Sequence, residues 1–137
     1  MADDPSATGS PRNRGAASDF VGLSIGVDLF NSGHYWEAHE AWEREWVPDR
    51  KGPDAGFYKG LIQVAAGCLH YGRHNRRGAV NKWRSGAGYL RPYLPEHRGL
   101  KLDALVKSVD GFLSAMTDGH WPDLEMPKIA RCRDWIK

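Results

Sequence analysis

Hydrophobic residues recur every three or four positions along most of the chain, which is the spacing of amphipathic helices. Prolines, glycines and short polar turns separate the periodic segments. The predicted helices cover residues 18–31, 35–46, 57–72, 76–90 and 100–116. No segment alternates hydrophobic and polar residues as a half-buried strand does, and the proline-containing tail from Gly119 onward is expected to lie extended across the helices. The pattern predicts an all-α fold, a compact bundle of about five helices.

The first seventeen residues differ from the rest. They are small and polar, contain two prolines, and have no apolar side chain larger than alanine after Met1. Such a composition cannot bury enough apolar surface to offset the entropy lost on ordering. We therefore expect a disordered leader over residues 1–17, with Ser18 or Asp19 capping the first helix, and a single helical domain over residues 18–137.

Composition narrows the class of protein further. The chain has 137 residues, 41% of them hydrophobic and 26% charged, with a net charge of +2, as in a soluble single-domain protein. No apolar run approaches the roughly 20 residues of a transmembrane helix, so no membrane association is expected. The two cysteines, Cys68 and Cys132, are too few for a disulfide scaffold and suit a reducing compartment. A cytoplasmic location is the expectation.

Candidate chemistry begins in the second predicted helix, within FNSGHYWEAHEAWEREW at residues 30–46. His39 and Glu43 are four residues apart, so their side chains can touch or share one ligand. The zinc-protease motif on a helix is absent, because it requires a second histidine at position 43. Three interpretations stay open: a buried histidine hydrogen-bonded to Glu43, a binding or catalytic pair, or a pair that is simply solvated.

The third predicted helix adds a polar stripe of Lys59, Gln63 and His70 to an otherwise apolar sequence. If the stripe faces His39 and Glu43, the two helices enclose a polar site for a small ligand. A divalent metal held by His39, Glu43 and His70, or a general acid–base pair, would use the same groups, so enzymatic activity is left open. The candidate ligand-binding residues are His39, Glu40, Glu43, Gln63, His70 and Asn75.

Charge is distributed unevenly despite the small net value. Residues 73–98 carry seven basic side chains and one acid, whereas residues 28–49 carry six acids and one arginine. Acidic and basic helices that neighbour each other, within one chain or across a homodimer, would account for this. An anion site at Arg73, Arg76 and Arg77 is a second interpretation. Nucleic-acid binding through the strip from Arg73 to Arg84 is disfavoured, because the facing acids would repel phosphate.

Two motifs in order, FNSGHYWEAHEAWEREW and FYKGLIQVAAGCLHYGRHNRRGAV, resemble the DUF309 family of small bacterial and archaeal proteins. The similarity runs from about Leu29 to Tyr93 and implies a compact helical bundle, but no activity. It places the following residues on the family's characteristic positions: Phe30, Gly33, Tyr35, Glu37, His39, Glu40, Glu43, Trp46, Gly60, Gln63, His70, Asn75 and Gly78.

These observations favour a small binding domain with a polar site between its second and third helices. The main alternative is a structural or protein-interaction module, in which the same polar groups only fix helix packing and the chain forms a homodimer.

Overall fold

Five α-helices account for most of the chain in the computed structural model, which describes the backbone of residues 12–132 and the side chains of residues 21–132. They are α1 (Arg12–Asn31), α2 (Tyr35–Trp46), α3 (Ala55–Gly72), α4 (Arg76–Leu90) and α5 (Leu102–Thr117). Short 3-10 helices at Val47–Asp49 and Arg91–Tyr93 follow α2 and α4. The predicted all-α bundle is confirmed.

A side-chain cap explains where α4 begins. Before α4, the side chain of Asn75 accepts a hydrogen bond from the Gly78 amide at 3.0 Å, which caps the helix.

The first helix, α1, begins at Arg12, earlier than the predicted start at Ser18 or Asp19. Four of the six added residues are arginine or alanine, which are good helix formers, so a helix anchored further along extends backward despite Asn13 and Gly15. The remainder of the predicted leader, residues 1–11, lies outside the described residues.

A small antiparallel sheet, which hydrophobic periodicity did not predict, joins the tail to the bundle. Its strands are β1 (Glu96–His97), β2 (Leu100–Lys101) and β3 (Ala130–Arg131), in the order β1-β2-β3. The β1–β2 hairpin turns through Arg98 and Gly99, both with positive φ (50° and 80°), as tight two-residue hairpins require. Two-residue strands are too short to show an alternating pattern, which is why the sequence does not indicate them.

As far as the structure describes it, residues 119–132, the C-terminal tail crosses the bundle without helical structure, as expected. It is attached at several points along its length. The Tyr71 hydroxyl donates to the Pro122 carbonyl at 2.9 Å, and the Asn31 side chain exchanges two hydrogen bonds with the backbone of Ile129 at 2.9 and 2.8 Å. Ile129 itself is buried in the core.

The centre of the core is α3, which packs against α2 on one side and α4 on the other. Close approach of α3 and α4 depends on Gly60 and Gly86: a Cβ at Gly86 would lie 3.0 Å from the Gly60 carbonyl oxygen. Two fully buried tryptophans, Trp42 and Trp83, fill the neighbouring interfaces. The arrangement fixes the position of α3 and therefore of the polar side chains that α3 carries.

Both cysteines are free thiols, and burial raises the pKa of Cys68 to about 12. Cys68 therefore packs as a small apolar residue. None of the helices in the described part is both long and apolar enough to cross a bilayer.

Candidate functional site

A groove between α2 and α3 holds the main group of predicted site residues. Trp46, at the end of α2, contacts Lys59, near the start of α3, so the two helices run antiparallel. The groove contains a cavity of about 160 Å³. Its lining consists of His39, Glu43 and Trp46 from α2 and Lys59, Ile62 and Gln63 from α3. The structure thus brings His39, Glu43 and Gln63 together.

His39 lies half-buried on the wall of this groove. Its imidazole stacks on the Trp36 indole, with ring centroids 5.2 Å apart and an angle of 8° between the planes. The Nδ1 atom is buried and has no hydrogen-bond partner among the described residues. A buried polar atom without a partner costs free energy. The hydrogen bond to Glu43 that would make His39 a purely structural residue is not formed at this nitrogen.

Lys59 is held over the groove by aromatic rings. Its Nζ atom lies 5.3 Å from the centroid of the Trp46 ring and 5.6 Å from that of Tyr89, both within the range of cation–π attraction. Spacing places Lys59 on the same stripe as Gln63, but only the structure shows that both reach the cavity.

The polar groups of the groove are not paired with each other. Within the described part of the chain, no hydrogen bond or ion pair joins His39, Glu43, Lys59 and Gln63. Glu43 is exposed and accepts only, Lys59 donates only, and the amide of Gln63 does both. A negatively charged acceptor, a positively charged donor and a neutral amide therefore remain available to a bound molecule.

His70 and Asn75 belong to a different part of the structure. The Asn75 Nδ2 atom lies 3.1 Å from His70 Nδ1, and the His70 ring rests against Gly78 in the first turn of α4. An α-helix rises 1.5 Å per residue, so His70 lies about 10 Å along α3 from Gln63. These two residues shape the start of α4 rather than the groove, and Glu40 is exposed outside it.

The predicted metal site is consequently not assembled. His39 and Glu43 share the groove, but the third proposed ligand, His70, is at the far end of α3. Across residues 21–132, no three His, Cys, Asp or Glu side chains lie close enough to hold a metal ion together.

Of the three arginines of the predicted anion site, Arg76 is engaged with backbone carbonyls. Arg76 donates to the carbonyl oxygens of Met116 at 2.7 Å and of Gly119 and His120 at 3.3 Å, and its guanidinium lies over Trp121. Because these carbonyls include the end of α5, Arg76 caps that helix and stabilises its negative pole. Arg73 and Arg77 are exposed.

Sequence reasoning missed Asp54, the one buried acidic side chain among residues 21–132, which is 7% exposed. Its carboxylate accepts hydrogen bonds from His97 Nε2 at 2.7 Å and Arg98 Nε at 2.6 Å, across more than forty residues of sequence. Burial alone would raise the pKa of Asp54, but the hydrogen bonds and charges of His97 and Arg98 outweigh it and lower the pKa. Position 54, between a proline and a helix start, indicated only a turn. The cluster ties the loop before α3 to the β1–β2 hairpin.

Fold and groove together define a small helical domain with an open polar site between two antiparallel helices. Residues 23–81 match the family model of DUF309, described as a domain of unknown function. The resemblance expected from the two motifs is confirmed. The matched segment includes every residue that lines the groove. No curated protein matches the chain.

Proposed function

We propose that the protein is a small-molecule-binding domain whose ligand occupies the groove between α2 and α3. The observation that carries this proposal is the convergence of four polar side chains on one cavity without hydrogen bonds between them. Polar groups that serve only to fix helix packing normally bond each other when buried, whereas the buried Nδ1 atom of His39 has no partner among the described residues. The arrangement therefore favours binding over the structural-module alternative.

The chemistry of the lining suggests the class of ligand. Glu43 and Lys59 present one charge of each sign, while Gln63 and His39 can each donate and accept. A zwitterion, with an ammonium group toward Glu43 and a carboxylate toward Lys59, matches both charges. Trp46 and Ile62 provide apolar contact for a short side chain.

The size of the cavity is consistent with such a ligand. The groove is open, and its cavity of about 160 Å³ is small. Cavities for drug-sized ligands usually exceed roughly 300 Å³. The groove fits a small amino acid, or the amino-acid-like end of a larger molecule.

An NMR titration tests the proposal with L-alanine as the zwitterionic probe and with propionate and ethylammonium as probes of single charge. We expect saturable shifts of the backbone amides of Glu43 and Gln63 with alanine, and weaker binding of the other two. The substitution Glu43→Gln should weaken alanine binding about tenfold, since it removes one charge-assisted hydrogen bond.

Glu40→Gln is the matched control, because Glu40 is on the same helix, exposed and outside the groove. It should leave alanine affinity unchanged. Absence of any saturable shift, or equal effects of Glu40→Gln and Glu43→Gln, would overturn the proposal.

A further inference from the structure

A second and larger cavity, of about 460 Å³, lies at the opposite end of the α2–α3 pair. The turn between α1 and α2 contributes Gly33, and the first residue of α2 contributes Tyr35. Leu69 and Tyr71 come from the last turns of α3, and Met126 of the C-terminal tail closes one side. None of these residues lines the first groove. The volume lies within the roughly 300–1,000 Å³ typical of ligand pockets.

The wall of this second cavity is largely apolar. Leu69 and Met126 are aliphatic, and the Tyr71 hydroxyl already donates to the Pro122 carbonyl. Cys68, which also lines the cavity, is a neutral buried thiol. Burial raises the pKa of Tyr35 to about 12, so its hydroxyl keeps its proton at neutral pH and can donate to an acceptor.

Arg73 carries the single charge among the described residues of this lining. It follows the last residue of α3 directly and is exposed at the edge of the cavity. Its guanidinium forms no hydrogen bond or ion pair with any residue that the structure describes, and no acidic side chain from that part of the chain lines the cavity. Neighbouring Arg76, in contrast, donates from both terminal nitrogens to backbone carbonyls.

We propose that this cavity binds an amphipathic carboxylate, with its hydrocarbon part against Leu69, Tyr71 and Met126 and its carboxylate paired with Arg73. A guanidinium matches a carboxylate by two parallel hydrogen bonds, and an apolar wall without acids favours a hydrocarbon carrying one negative charge. A cation would meet the unneutralised charge of Arg73, and a fully polar molecule would lose its hydration against the apolar wall. None of the residues described for this site lines the first groove, which lies between the end of α2 and the first turns of α3.

The probe for this site is octanoate, compared with octan-1-ol, which has the same chain without the charge, and with octylammonium, which reverses the charge. Backbone amide shifts in an NMR titration report the location of binding. Gly33 and Gly72 line the cavity and should move saturably with octanoate, whereas Gly60 and Gly86, at the α3–α4 crossing, should not. Octanol should bind more weakly, by about tenfold, and octylammonium more weakly still.

Substitution of the arginine separates charge recognition from non-specific hydrophobic binding. Arg73→Gln should weaken octanoate binding about tenfold and leave octanol binding unchanged. Arg77→Gln is the matched control, because Arg77 is exposed nearby and does not line the cavity. An unchanged spectrum away from the cavity establishes that each variant is folded.

Three outcomes would overturn the inference: no saturable shift at Gly33 and Gly72, equal affinity for octanoate and octanol, or equal effects of the two arginine substitutions. Octanoate shifts centred on Gln63 would assign the probe to the first groove and would also overturn it. Failure of alanine to bind the first groove leaves this test unaffected, because the two cavities share none of the residues that the structure describes.

Discussion

The contact between α3 and α4 offers the sharpest test of how this fold is held together. A Cβ at Gly86 would lie 2.8 Å from Val64 Cγ2, 2.9 Å from the Val64 backbone nitrogen and 3.0 Å from the Gly60 carbonyl oxygen. Two of these three atoms belong to the backbone of α3, so no side-chain rotation relieves the overlap. Replacing Gly86 with alanine must push the two helices apart.

The magnitude follows from two opposing effects. Overpacking a well-filled core costs about 1–3 kcal/mol, and contact with backbone atoms belongs at the upper end of that range. Alanine recovers about 1 kcal/mol because glycine is a poor helix former. The expected net loss of stability for Gly86→Ala is therefore about 2 kcal/mol, or roughly 8 °C in Tm for a domain of this size.

Gly88 provides the matched control on the same helix. A Cβ at Gly88 would meet nothing within 4 Å, so Gly88→Ala gains the helix propensity without the overlap. We expect Gly88→Ala to stabilise the protein by about 1 kcal/mol. Urea unfolding followed by far-UV circular dichroism measures both variants. If Gly86→Ala is as stable as the unsubstituted protein, or if Gly88→Ala is destabilised, the claim that α3 and α4 pack too closely at Gly86 to admit a Cβ atom is refuted.

Two further predictions concern buried polar contacts. Folding lowers the pKa of Asp54, so its ionised carboxylate fully stabilises the folded state at pH values above the ordinary, unfolded-state pKa of about 4. This stabilisation is lost as the pH falls through the lower pKa of the folded state. At pH values under about 4, the urea midpoint of the unsubstituted protein should therefore decrease, and that of Asp54→Asn should decrease less. The same pH dependence in both proteins would contradict the stabilising role of ionised Asp54. Arg76→Ala should cost about 2 kcal/mol, because it leaves the end of α5 without its donor, whereas Arg77→Ala should change stability by less than about 0.5 kcal/mol in the same assay. Equal losses in the two arginine variants would show that Arg76 does not cap α5.

The amino-acid sequence alone determined the number of helices and many of their ends. The bounds of α2 and α4 agree with the prediction, because turns and prolines next to a helical periodicity are local signals that tertiary packing did not override. The start of α1 was predicted too late, since helix propensity continued through a segment without an apolar stripe. In the groove, His39 and Glu43 share one helix face, so their proximity could be predicted from spacing alone.

Which elements meet was decided only by the tertiary structure. Periodicity puts Lys59, Gln63 and His70 on one side of α3, but their positions along the helix determine that the first two reach the groove and His70 reaches Asn75. The same holds for contacts between distant segments, such as Arg76 with the end of α5. The spacing of residues within a helix defines the directions of their side chains around the helix axis. How closely and in which register two helices pack depends instead on the shapes of both surfaces, as at the contact of Gly60 with Gly86. For that reason the candidate residues were recognisable in the sequence, and their division into one polar groove, one helix cap and one apolar cavity was not.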